Sequence, residues 1–310
     1  MDKKITVIGA GHVGTTTAQL IAERNLADVV LVDIIEGIPQ GKALDIQEAC
    51  PLWNSSVQVT GTHTYDATAD SDIVVITAGL ARKPGMSRDD LLFANAEIIK
   101  DVARNISKTS PGAIIIVVSN PMDAMAQLTQ KFTGFSHKKI IGMGGVLDST
   151  RMRTFISLEL GVSPETVQTM VLGGHGDLMV PLSRFSRVNN KLLSEVLHQS
   201  RITEIIERTK NGGAEIVGLL KTGSAYYAPA AGVVVMIENI FGSNNEILPC
   251  SVYLNGEYGI QGVYLGVPVR LSPEGVAEIV EFELEEAEKE ALLKSAESVR
   301  GLIKKLEEKE

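Results

Sequence analysis

Cysteine is scarce in this 310-residue chain, which holds only Cys50 and Cys250. Two thiols cannot build a disulfide framework, and no Cys-x-x-Cys pair or His/Cys cluster has the spacing of a metal site, so none is expected. Both cysteines read as buried thiols, which suits a reducing, cytoplasmic setting. Positive charge is also short. Lys and Arg total 29 against 38 Asp and Glu, a net charge of −9. That balance argues against nucleic acid or an anionic membrane as partner, because either would need an extended basic face. Long apolar runs are missing too. The run in "MDKKITVIGAG" meets glycine after about five residues, too few for a signal-peptide core or a membrane span. The chain carries neither internal repeats nor low-complexity segments.

What is present reads as an ordinary globular protein. Apolar residues make up 44% and charged residues 22%, with enough length for two domains or one large α/β unit. "KITVIGA" is a short β-branched run ending in glycine, and "TTTAQLIAERNLA" follows with helical spacing. Further strand candidates are "DVVLVDI", "VQVTG" (57–61), "SDIVVITAG" (71–79) and "AIIIVVSNP" (113–121), with helix-compatible segments between them, notably "SRDDLLFANAEIIKDVARNIS". Continuous apolar strands alternating with helices predict a parallel sheet covered on both faces. The second half is less regular: a helix near 147–160, a strand near 166–172, a helix near 202–220 and antiparallel strands around 248–270. The acidic tail reads as a C-terminal helix with a solvated face. The best division falls at "IIGMGGVLDST", giving domains of residues 1–143 and 144–310.

"GAGHVG" places Gly9, Gly11 and Gly14 in a G-x-G-x-x-G pattern directly after the first strand. Gly9 permits a tight turn, Gly11 leaves room for a pyrophosphate, and Gly14 lets helix and strand pack closely. The helix N-terminus then offers free N–H groups and a positive dipole end to phosphates. Asp33 ends the second strand about 20 residues on, where a carboxylate accepts bonds from ribose hydroxyls and repels a 2′-phosphate. Strand, loop, helix and acid together predict an NAD-binding, Rossmann-type doubly wound parallel sheet, with a second α+β substrate domain. His12, inside the loop, reads from its surroundings as structural.

Three further stretches point to chemistry. "VLGGHGDLMVPL" sets His175 between glycines, and histidine is the side chain best suited to proton exchange near neutral pH. His63, His137 and His198 have no such setting. "GVLDSTRMRTF" puts Asp148 and Arg151 on one face of a helix, one turn apart. If that face meets His175, the acid fixes the imidazole tautomer and the arginine grips a carboxylate at two points. "AGLARKPGMSRDD" (78–90) sets Arg82, Lys83 and Arg88 around a Pro-Gly turn in an acidic protein, equipment for closing over an anion. Lys83 reads as merely solvated.

"GAGHVG", "LVDI", "RKPGMSR", "SNP", "VLDSTR" and "GGHGD" occur in the order and spacing of the lactate/malate dehydrogenases, and the chain resembles that family over essentially its full length. "ARKPGMSR", "GGHGD" and "TGSAYYAPA" (222–230) resemble most the family's branch of lactate-dehydrogenase-like malate dehydrogenases. The resemblance implies His175 as proton donor and acceptor, with Asp148 as its partner. It implies Arg151 on the substrate's C1 carboxylate, Arg88 on the reacting carbonyl and Arg82 as the discriminating residue. Asn120 would touch both nicotinamide and substrate, Val118 and Ser119 would line the cofactor path, and Asn95 would add a contact. Ile8, Gly9, Ala10, Gly11, His12 and Val13 would cradle the pyrophosphate. The expected cofactor is NAD, the expected partner a small dicarboxylate, and the expected assembly a homodimer or homotetramer. Lactate as substrate, or a non-catalytic NAD sensor on the same fold, are the alternatives.

Overall fold

The structure, a computed structural model, describes residues 3–80 and 87–309. Six short strands alternate with helices in the first half: β1 Lys4–Ile8, α1 His12–Glu23, β2 Asp28–Val32, α2 Ile38–Ala49, β3 Val59–Thr62, β4 Ile73–Ile76, α3 Arg88–Thr109, β5 Ile114–Val117, α4 Met122–Thr133 and β6 Ile140–Gly142. All five pairings among these strands are parallel, in the order β3-β2-β1-β4-β5-β6. This is the doubly wound arrangement, with its topological switch between β1 and β4.

The strand sequences explain the two-sided burial. Ile73, Val75, Ile114 and Ile116 face a core with Ala18, Ile21 and Ala22 of α1. Their neighbours Val74, Ile76, Ile115 and Val117 face the opposite core, with Ile99, Val102 and Ile106 of α3 and Leu128 of α4. Successive side chains point to opposite faces, so only strands apolar at every position can be sealed on both.

Beyond β6 come α5 Gly145–Leu160, β7 Val167–Gln168, β8 Val171–Leu172, β9 Val180–Pro181, β10 Arg187–Val188, β11 Lys191–Leu192, α6 Leu193–Val196, α7 Gln199–Leu220, α8 Tyr227–Ile240, β12 Leu248–Asn255, β13 Gln261–Ser272, β14 Gly275–Ile279 and α9 Glu286–Glu307. β12 to β14 do not form a separate sheet. They extend the first one to nine strands, antiparallel from β12 onward, joined to β6 at the Ser251–Gly142 pair. α5 and α7 enclose a smaller third core around Met152, Ile156, Ile202 and Ile205.

Two elements depart from the sequence reading. The first helix begins at His12, inside the glycine loop, and ends at Glu23 before left-handed Asn25. The strand expected at 166–172 is broken into β7 and β8, and Ser149 of α5 binds the segment at the break: the Thr169 hydroxyl donates to the Ser149 carbonyl (2.7 Å) and the Val171 N–H to the Ser149 hydroxyl (2.9 Å). The C-terminal helix is as the sequence reads, with a solvated face and an apolar one that buries Leu292, Ser295, Ala296 and Val299.

Candidate active site

The glycine loop is built by close approach. Gly9 has φ +104°, and a Cβ there would stand 2.7 Å from the Ala78 nitrogen that follows β4. A Cβ on Gly14 would lie 1.8 Å from the Gly9 carbonyl oxygen, so only glycine lets α1 start against the strand. At Gly11, by contrast, a Cβ would meet nothing within 4 Å. That side is open, and Gly11 caps α1 without a side chain, which leaves the first-turn N–H groups without a side-chain partner.

The loop is braced from both flanks. Asp33 Oδ2 accepts the Ala10 N–H at 2.8 Å, and Lys42 of α2 donates to the Ala10 carbonyl at 2.6 Å. Asp33, just past β2, therefore stands at the loop. Ile8 and Ala10 are buried, so they meet a ligand only through backbone. Gly11 and His12 are exposed, Val13 is half-buried, and the His12 ring stacks on Tyr226 with centroids 4.9 Å apart.

Across the switch point, Val118 is half-buried and Ser119 is buried with its hydroxyl on the Ile76 and Ala78 carbonyls. Asn120 is exposed at the mouth. Asn95 of α3 is buried and fully engaged within the protein: its Oδ1 accepts the Leu80 N–H and its Nδ2 donates to the Asn120 carbonyl, both at 2.7 Å. It holds the end of β4's loop against the "SNP" turn.

The second cluster forms where α5 meets the β8–β9 hairpin. His175 Nδ1 is 2.8 Å from Asp148 Oδ2, and Arg151 Nη1 is 3.3 Å from Asp148 Oδ1. Asp148 is 1% exposed, so its charge is balanced by these two partners rather than by water. Burial lowers the imidazole pKa, but the Asp148 charge and hydrogen bond raise it, and Asp123 adds to them. Arg151 opposes, and the net shift is upward. His175 is thus biased toward the imidazolium, with Nε2 left for a ligand.

Arg151 Nε is buried with no hydrogen-bond partner among the described residues. A buried guanidinium N–H left open is rare without a ligand to fill it. Its stem runs against the Gly212–Gly213 pair in the middle of α7, where a Cβ on Gly212 would be 3.1 Å from Arg151 Cδ. Two interior helix glycines cost about 1 kcal/mol each, and here they make room for the arginine.

Arg88, the first residue of α3, projects into solvent with Nη2 3.4 Å from Asp177 Oδ2, two residues beyond His175. The exposed pair contributes little energy, but it places Arg88 at the rim of the cluster. α3 starts firmly, since Ser87 and Asp90 cap each other at 3.0 Å in both directions. A cavity of about 330 Å³ beside the imidazole is lined by Arg88, Asp123, His175, Asp177 and Ser298 among others. Arg82 lies outside the described residues.

Sequence reasoning missed two groups that fix the His175 loop. Asp123 Oδ2 accepts the His175 N–H at 2.9 Å, and Ser295 of α9 accepts the Gly174 N–H at 2.8 Å. The remaining histidines have local tasks: His137 stacks on Tyr253, His198 caps α7, and His63 contacts Gln40. Among the described residues, no group of His, Cys, Asp or Glu could hold a metal, and no helix is long and apolar enough to cross a membrane.

A dinucleotide loop at the switch of a doubly wound sheet, beside a His–Asp–Arg cluster, defines a nicotinamide-dependent oxidoreductase. The lactate/malate dehydrogenase NAD binding domain matches residues 3–142, and the lactate/malate dehydrogenase alpha/beta C-terminal domain matches residues 145–310. The chain belongs to the lactate/malate dehydrogenase family, and its cofactor is NAD. It is 51% identical over 308 residues to a malate dehydrogenase of Thermomicrobium roseum, covering 99% of each chain. The malate dehydrogenase structure from Cryptosporidium parvum superposes with a TM-score of 0.96 at 44% identity, over 99% of this chain and 100% of that one. The lactate dehydrogenase of the same organism, solved with lactic acid and NAD, gives a TM-score of 0.95 at 42% identity, over 98% of both chains. The fold is common to both activities, so the choice of substrate rests on side chains.

Proposed function

We propose that the chain is an NAD-dependent malate dehydrogenase that reversibly oxidises (S)-malate to oxaloacetate, the malate step of the tricarboxylic acid cycle. The observation that carries this reading is the His175–Asp148–Arg151 cluster: a proton-exchanging imidazole on a buried carboxylate, next to a buried guanidinium with an open donor. Residues 1–143 serve as the cofactor part and 144–310 as the substrate part.

In the oxidation, Arg151 holds the C1 carboxylate of malate in a two-point grip. His175 Nε2 accepts the C2 hydroxyl proton, and the C2–O bond becomes the carbonyl of oxaloacetate. When bound, NAD supplies the two-electron acceptor for the hydride from C2. Asp148 stabilises the imidazolium that forms, and Arg88 polarises the reacting carbonyl in the reverse direction. Arg82 reads the distal carboxylate, which malate has and lactate lacks. Beneath a closed loop, pyruvate would leave that arginine desolvated and unpaired, a mismatch that can discriminate by up to ~10⁴–10⁵-fold. Asn120 spans the nicotinamide and substrate sides. The turn from Ile8 to Gly14, together with Asp33, Val118 and Ser119, receives the dinucleotide, and Asn95 braces that path.

Two buried free thiols, Cys50 and Cys250, support a cytoplasmic location. Exposed apolar side chains on and beside α2, α7 and α8, such as Ile34, Leu44, Leu219 and Tyr227, support a homodimer or homotetramer that covers them. The testing variant is His175→Asn. NADH binding is retained while turnover of oxaloacetate falls by at least ~10²-fold. Unchanged turnover would assign the proton to another group and sink the reading.

A further inference from the structure

Asp123 is 4% exposed, stands in the first turn of α4, and belongs to none of the motifs that carry the chemistry. Both of its oxygens are engaged. Oδ1 accepts the Ser251 hydroxyl at 2.7 Å, and Oδ2 accepts the main-chain N–H of His175 at 2.9 Å. Ser251 sits at the seam where β12 joins β6, so the carboxylate links the parallel and antiparallel halves of the sheet to the loop of the imidazole. Ser295 fixes the adjacent Gly174 N–H, and Gly173 pairs with Gly266 of β13 in both directions. The His175 backbone is therefore held at three consecutive residues, but only Asp123 can hold it with a charge.

We propose that Asp123 is a positioning residue for the proton transfer: it anchors the His175 main chain and brings a second carboxylate, besides Asp148, to the residue that carries the imidazole. The inference rests on the reading of His175 as proton donor and acceptor. Among the described residues, the charged groups facing His175 are Asp148 and Arg151 from α5 and Asp123 from α4, with Arg88 and Asp177 at the rim. α9 contributes the neutral Ser295 and Ser298. Asp123 favours the imidazolium. Burial pushes its own carboxyl above the usual carboxylate range and Asp148 adds to that, while the Ser251 hydroxyl, the His175 N–H and the imidazolium charge pull it back down, helped by the positive end of α4. An aspartate whose only task was to tie the loop could be replaced by any acceptor. A charged one leaves a titration signature.

Asp123→Asn separates the two cases, because an amide can accept from His175 N–H and donate to the Ser251 hydroxyl while losing the charge. The direct readout is NMR titration of the His175 imidazole in the full-length protein, with His175→Asn assigning its signal. The expected result is a downward shift of roughly half a unit or more. Oxaloacetate reduction at alkaline pH should fall by about threefold or more in step with it, with NADH affinity unchanged. Ser251→Ala, which removes one donor from the carboxylate, should move the titration in the same direction by less, and it decides the matter if Asp123→Asn does not fold. Ser295→Ala loosens the same loop without touching charge and should leave the titration in place. Coincident His175 titrations in the parent, Asp123→Asn and Ser251→Ala would overturn the proposal. The catalytic reading of His175 fails by a different sign, unchanged turnover in His175→Asn.

Discussion

Asp148 Oδ2 lies 2.8 Å from His175 Nδ1, although the two residues are 27 positions apart and sit on a helix and a loop. The carboxylate is almost wholly withdrawn from water, so its charge acts on the imidazole and on Arg151 at nearly full strength. The other oxygen is occupied by Arg151 at 3.3 Å.

This pairing sets a pH dependence. The His175 pKa is displaced upward by Asp148 against the effect of burial. A raised pKa keeps the imidazolium populated to higher pH. Reduction of oxaloacetate, which needs the protonated ring, is therefore expected to persist above the ordinary histidine range and to fall as pH rises through that displaced value. Oxidation of malate, which needs the neutral ring, should rise over the same window. In Asp148→Asn the inflection should move down by about one unit or more, as pH–kcat/KM profiles in both directions would record. An inflection unmoved by that substitution would break the link between the pair and the proton.

The glycine loop separates space for the chain from space for a ligand. Gly14→Ala drives a Cβ into the Gly9 carbonyl, so thermal unfolding should reveal a loss of about 1–3 kcal/mol together with weaker NADH binding. Gly11→Ala meets open space and should cost at most about 1 kcal/mol while still weakening NADH binding. NADH binding left unchanged in Gly11→Ala would mean that the open side of Gly11 does not receive the pyrophosphate.

Asp33 meets the loop through the Ala10 N–H, and under the proposed function its carboxylate receives the adenosine ribose. Asp33→Ser removes the charge that repels a 2′-phosphate. The ratio of kcat/KM for NADH over NADPH is expected to drop by roughly tenfold or more. An unchanged ratio places the discrimination elsewhere.

Arg82→Gln is expected to lower activity on oxaloacetate far more than on pyruvate, narrowing or reversing the preference, in parallel assays with NADH. Equal losses on both substrates would show that this side chain does not read the distal carboxylate.

Much of this arrangement was legible in the sequence, for identifiable reasons. Runs such as "IIIV" and "IVVI" are apolar at every position, which only a strand sealed on both faces requires. The loop from Gly9 to Gly14 and the Asp148–Arg151 spacing are local patterns, and local patterns survive in one dimension. Long-range contacts do not. The sheet's passage from β6 to β12 rests on the Ser251–Gly142 pair, between segments far apart in the chain. Asp123 reaches Ser251 across 128 positions, and Ser295 reaches Gly174 across 121. The only local sign of Asp123 was an acid in the apolar first turns of "MDAMAQL", where burial makes a carboxylate expensive without a partner. Ser295 was hidden in a helix whose charge pattern spoke only of its solvated face.

The most direct test of the central claim is a spectrophotometric comparison of NADH oxidation with oxaloacetate and with pyruvate at matched concentrations. The account predicts rapid turnover of oxaloacetate and a kcat/KM for pyruvate lower by orders of magnitude. Faster turnover of pyruvate, or no turnover of either acid, would contradict it.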